Sequence, residues 1–227
     1  MKLMKTISGY ILLLALLLST TACGDTQPVK TYPENYERFS ALLGESRETV
    51  LTQLNLTEQD LVPAQRGVYS MPVTAHYNGL TFDMSLEFDE TNDRLLGFYY
   101  TKLWENEWDN AIRDVGSLAK ALTQIFGEAR EDVDPNRFSH MGQEELATAF
   151  AAKDKQVGTD YWLVEKRDDS ATLEYVAIVR EQMGSRGTIA DHLNLSLEMQ
   201  VNADEASGSA MAQLRFCLEP EYLTSTN

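Results

Sequence analysis

From Leu80 to Asp89 the chain reads Leu-Thr-Phe-Asp-Met-Ser-Leu-Glu-Phe-Asp, apolar and polar residues alternating without a break. A period of two belongs to a strand with one face buried and the other wet. Just ahead stands Asn78-Gly79, the dipeptide best suited to the positive φ angles of a type I′ hairpin turn. Tyr69 to Tyr77 is therefore expected to fold back on Leu80 to Phe88. Beyond the polar loop Glu90 to Asp93, Leu95 to Trp104 makes a third antiparallel strand.

Helical periods flank this meander. Asn35 is placed to cap Tyr36 to Leu43, with Gly44 as the stop, and Ser46 to cap Arg47 to Leu54, whose Val50, Leu51 and Leu54 share one face. Both segments are too short to be stable alone and must pack on something, the meander's apolar face being the nearest candidate. The strongest helical signal opens at Asn106: Trp108, Ile112, Val115, Ala119, Leu122 and Phe126 step by four and three, and Gly127 ends the run. Gly116 inside it costs about 1 kcal/mol relative to Ala, which suggests a close approach there.

After a polar connection, Glu128 to Gly142, a weaker helix is expected over Gln143 to Ala152. Strands then return at Tyr161 to Lys166, Ala171 to Arg180 and Leu193 to Val201, the last alternating Leu, Leu, Leu, Met and Val with polar residues. Asp168-Asp169-Ser170 is read as a turn, Glu181 to Asp191 as a loop, and Gln213 to Leu218 as an added edge strand. Residues 35–104 and 105–218 thus share one plan, helix first and three antiparallel strands after. The expected fold is α+β: two helix-plus-meander units joined in one layered antiparallel sheet with helices on it, followed by a tail at 219–227.

The first residues change the picture. Lys2 and Lys5 precede an apolar run, Ile11 to Leu18, and the small residues Ser19 to Ala22 lead to Cys23. This is the layout of an export signal, residues 1–22, and its apolar run falls short of the roughly 20 residues that span a bilayer. Thr20-Thr21-Ala22-Cys23 resembles the lipobox of bacterial lipoproteins, with Thr20 departing from the usual Leu. The resemblance implies cleavage before Cys23, diacylglycerol on its thiol, palmitate-type acylation and anchorage outside the cytoplasm. The anchor would sit in the cell membrane, or in an outer membrane where the source has one. Gly24 to Glu34, polar and carrying Pro28 and Pro33, is then a tether (23–34) spanning roughly 20 Å as a flexible coil. With Cys23 acylated, Cys217 has no intramolecular partner, and its apolar neighbours read as a partly buried strand.

Charge narrows the partners. The chain carries 35 acidic and 19 basic residues; without Lys2 and Lys5 the remainder stands at −18. Such a surface repels nucleic acid and anionic lipid head groups. Apolar content of 43% describes an ordinary globular core.

Gly44-Glu45-Ser46 followed by Val50, Leu54 and a meander resembles the repeat of β-lactamase-inhibitory-protein-like and SmpA/OmlA-like envelope proteins. Asn55-Leu56-Thr57 stands where Gly-x-Pro often closes that repeat. The resemblance implies action by protein contact without catalysis, and it carries no functional residue across.

Few residues ask for chemistry. Asp132, Asp134 and Asn136 alternate as Ca²⁺ ligands do, but Arg137 takes the place of the turn Gly and Gln143 that of the bidentate Glu. His76, His140 and His192 are scattered, and no nucleophile elbow or phosphate loop occurs. No cofactor is expected. The third strand carries bulky residues on both faces, so Tyr99, Tyr100 and Trp104 are candidates for an exposed contact patch. The reading is a lipid-anchored, non-catalytic envelope protein that binds an unidentified envelope protein or ligand. The alternative is an envelope hydrolase whose carboxylates meet only in three dimensions.

Overall fold

The structure, a computed structural model, describes residues 31–105, 107–130, 156–184, 188–189, 192–202, 209–218 and 220–221. The expected tether is described only from Thr31, and there it is already docked: Pro33 is buried and the Glu34 N–H donates to the His76 carbonyl at 3.1 Å. Among the described residues no helix is long and apolar enough to cross a membrane.

The chain opens with α1 (Tyr36–Ser40) and α2 (Arg47–Leu54). Ser46 Oγ accepts from the Thr49 N–H at 3.3 Å, as a helix cap should, and Asn55 closes α2 in the left-handed region at φ 56°. Asn35 does not act as foreseen. It takes φ 66° itself and its side chain makes no capping bond, and α1 runs for five residues, ending at Ser40 short of the expected Leu43.

Strands β1 (Val62–Gln65), β2 (Val68–Tyr77), β3 (Leu80–Phe88) and β4 (Leu95–Glu105) follow. Asn78 and Gly79 take φ 50° and 78°, and Tyr77 pairs with Leu80 across them. This is the tight hairpin foreseen from the dipeptide. Helix α3 (Trp108–Phe126) then buries Ala111, Ile112, Val115, Leu118, Ala119, Leu122 and Ile125, and Gly127 ends it at φ 85°. A Cβ on Gly116 would meet nothing within 4 Å, so no neighbour requires a glycine there. The helix expected at Gln143 to Ala152 lies outside the described residues.

The second half departs from expectation. After β5 (Gln156–Lys166) comes not a strand but a helix, α4 (Ser170–Met183). Asp169 caps it, accepting from the Thr172 N–H at 3.0 Å, and Thr172, Tyr175, Val176 and Val179 form its buried stripe. The β-branched residues favour a strand locally, but the cap and the three-and-four spacing of the stripe prevail. The foreseen turn Asp168 to Ser170 is a helix start. β6 (Thr188–Ile189) and β9 (Pro220–Glu221) make a small two-stranded ladder, so the expected Glu181 to Asp191 loop contains regular structure.

Strands β7 (His192–Asn202) and β8 (Ser209–Cys217) complete one seven-stranded sheet in the order β1-β2-β3-β4-β8-β7-β5, with every pair antiparallel. The strand expected at an edge, β8, lies in the middle, bonded to β4 on one side and β7 on the other.

One face of the sheet is the core. Phe98 and Phe216, paired across β4 and β8, stack at 5.0 Å. Tyr36 and Phe39 of α1 meet these two rings, and Phe126 at the end of α3 reaches Phe216. Trp162 of β5 is buried and donates Nε1–H to the Gly127 carbonyl at 2.9 Å, tying the far strand to the end of α3. Burying a large aromatic or aliphatic side chain contributes about 1.5–3 kcal/mol each.

Candidate binding site

Alternation that sends Phe82, Met84, Phe98, Tyr100, Leu214 and Phe216 to the core sends their neighbours to the opposite face. Register sets those neighbours in rows. One row runs Ser70, Ser85, Tyr99, Arg215, Ser196 over β2, β3, β4, β8 and β7; the next runs Thr74, Asp83, Thr101, Gln213, Glu198. All of these but Thr74 and Ser196, together with Glu87, Gln200, Met211 and the chain at Ala64, Gln65 and Val68, line a hollow of about 590 Å³.

A polar network holds its floor. Arg215 donates Nε–H to Tyr99 Oη at 2.7 Å and Nη2–H to Glu87 Oε2 at 3.0 Å, while Tyr99 Oη–H donates to the same Glu87 oxygen. The Arg215 guanidinium also lies 5.4 Å from the Tyr99 ring centre. The Cys217 thiol stands 3.5 Å from Glu87 Oε2. Burial first, then Cys217 and Glu87, push the Tyr99 phenol far above its ordinary range against the opposing charge of Arg215. Tyr99 is thus a protonated donor at neutral pH. Toward the middle of the hollow, Gln213 Nε2–H donates to Thr101 Oγ1 at 3.2 Å, and the Ser70 and Ser85 hydroxyls are 3.4 Å apart.

Helix α4 reaches this network from the end of the sheet. Tyr175 is buried with its hydroxyl 3.5 Å from Asp89 Oδ2, and burial, then the charges of Asp89 and of nearby Cys217, drive its phenol upward. Two arginines fasten the helix to the α1–α2 turn. Arg94 spans the Gly44 carbonyl and Glu174; Arg167 spans the Ser40 carbonyl, Glu165 and Asp169.

The chain matches no family model, no characterised protein and no solved structure. The hollow must be read from its own residues.

Of the residues singled out in the sequence, Tyr99, Tyr100 and Trp104 do not make an exposed patch. They are 2%, 0% and 4% exposed, and Tyr99 points to the opposite face from the other two. Tyr100 Oη–H donates to the Glu34 carbonyl at 2.9 Å, and Trp104 Nε1–H to Asp114 Oδ2 at 3.3 Å. Burial by α1, α3 and β8 leaves no room for a shared contact surface. Asp132, Asp134 and Asn136, like Cys23, lie outside the described residues. No three His, Cys, Asp or Glu side chains among the described residues stand where they would hold a metal.

Sequence reading passed over Asp83, Glu87, Thr101, Gln213 and Arg215. Their wet phase in alternating strands was legible. The neighbourhood of β4 and β8, which assembles them, was not.

Proposed function

We propose that the protein is a lipid-anchored, non-catalytic binding module of the bacterial envelope, held by acylated Cys23 and offering the polar hollow of its sheet as the contact surface. The lipobox-like Thr20-Thr21-Ala22-Cys23 supports the anchor. One observation carries the binding role: helices and aromatic side chains fill one face of the sheet, while the other keeps a hollow of about 590 Å³ floored by hydroxyls, amides and carboxylates. Its volume falls in the range of ligand sites, and its polar lining fits a hydroxyl-rich ligand better than an apolar one. The carboxylate best placed for acid–base work, Glu87, is already engaged by Arg215 and Tyr99, which favours holding a ligand over transforming one.

The twofold plan belongs to this proposal. β2-β3-β4 and β5-β7-β8 are both three-stranded antiparallel runs meeting at β4 and β8, with α4 inserted in the second. A duplicated helix-plus-meander unit would produce this arrangement and would create the hollow at its seam.

Metabolic labelling with a palmitate analogue tests the anchor: label and membrane retention should vanish in Cys23→Ser. Label persisting in that variant, or turnover of an envelope polymer by the purified mature protein, would sink the proposal.

A further inference from the structure

We infer that the hollow takes a neutral, linear oligosaccharide lying across the strands. The inference rests on the binding-module reading above and names its ligand class. Three features carry it.

First, the lining is built from groups that both give and accept hydrogen bonds. Ser85, Thr101, Gln200 and Gln213 offer hydroxyls and amides, and Asp83 and Glu198 add acceptors at either side. Sugar hydroxyls are donors and acceptors at once, so this mixture satisfies them.

Second, the charge excludes acidic ligands. Among the described lining residues Arg215 is the only cation, and it is spoken for by Glu87, while Asp83, Glu87 and Glu198 are three carboxylates. A phosphate or uronate would meet a surplus of like charge.

Third, the spacing is periodic in the right direction. The two rows cross β2, β3, β4, β8 and β7, four strand intervals of about 4.8 Å each, close to the repeat of an extended sugar chain. A sugar chain laid over the sheet face, across the strands, would meet a polar side chain at each strand interval. A polypeptide finds its backbone partners along a strand edge, not across a face.

Titration of the full mature chain, followed by backbone amide shifts, tests this with three probes: penta-N-acetylchitopentaose, cellopentaose and pentalysine. A neutral glycan should shift amides of β3, β4, β7 and β8, and the two sugars separate an amino-sugar wall polymer from a glucan. Asp83→Ala, at an exposed position, and Gln213→Ala should each weaken binding about tenfold with unchanged melting temperature. No shift with either glycan at millimolar concentration, or a larger response to pentalysine, overturns the inference. A photo-crosslinker in place of exposed Gln200 separates two failures in intact cells. A protein adduct there with inert glycans overturns the sugar ligand and leaves the binding module standing; neither adduct nor shift overturns both.

Discussion

A Cβ built on Gly44 would stand 2.5 Å from the carbonyl oxygen of Ala171. The backbone of the α1–α2 turn therefore touches the first turn of α4 directly, where a side chain would hold the two apart. Gly44 also sits at φ +83°, a region that L residues adopt only with strain. Gly44→Ala should lower unfolding free energy by about 2–4 kcal/mol in urea titration, since backbone strain and displacement of α4 act together. A loss below about 1 kcal/mol would show that α4 is not seated on this turn.

Glu87 and Arg215, far apart in the chain, meet beneath the hollow with side chains 16% and 24% exposed. Removing one partner of a shielded pair strands the other charge. With partial solvent access, Glu87→Leu or Arg215→Met should each cost about 2 kcal/mol, below the figure for a fully buried pair. The double variant should cost less than their sum, with a coupling above about 1 kcal/mol. Additive losses in the cycle would show that the pair is not coupled.

Asp169 links α4 to pH. Burial pushes its carboxyl upward, but the Thr172 N–H, the charge of Arg167 and their hydrogen bonds outweigh this and hold it below the ordinary carboxylate range. A depressed folded pKa means stability that is full above the unfolded value of about 3.9 and is lost as pH falls through the folded one. Between pH 5 and pH 2, on the order of the usual carboxylate range, the wild-type melting temperature should fall more steeply than that of Asp169→Asn, which keeps a capping oxygen and cannot titrate. Parallel curves would remove Asp169 from the acid response.

Cys217 is 1% exposed at the end of the central strand β8. In the Cys23→Ser protein, Ellman's reagent should find no reactive thiol under native conditions and one after denaturation. Rapid native labelling would mean that the end of the hollow opens, and that the Glu87 network is less closed than its geometry.

The mistaken strand at Ala171 to Arg180 shows where local reading ran out. Val176, Ile178 and Val179 lean toward extended structure, and a short, mostly apolar segment suits either state. Two signals for the helix were present, Asp169 as a cap and the spacing of Thr172, Tyr175, Val176 and Val179. Seating of α4 on the α1–α2 turn at Gly44, with Tyr175 reaching Asp89, is what places that stripe inside. Likewise, nothing near Gln213 to Leu218 distinguishes an edge from a centre, because one strand's pattern shows which face is buried and never which strand lies alongside.

Residues acting within a few positions of each other were sufficient for the Asn78-Gly79 hairpin, the Ser46 cap of α2, the stripe of α3 and the two-sided character of β3 and β7. Turns, caps and periods are properties of short chain segments, and there local preference and final structure agree. The pairing of β4 with β8, the burial of Tyr99, Tyr100 and Trp104, and the meeting of Glu87 with Arg215 were decided only in three dimensions. They depend on which distant segments share an edge or a layer, and the energy of that choice comes from packing across the whole sheet, which no local window contains.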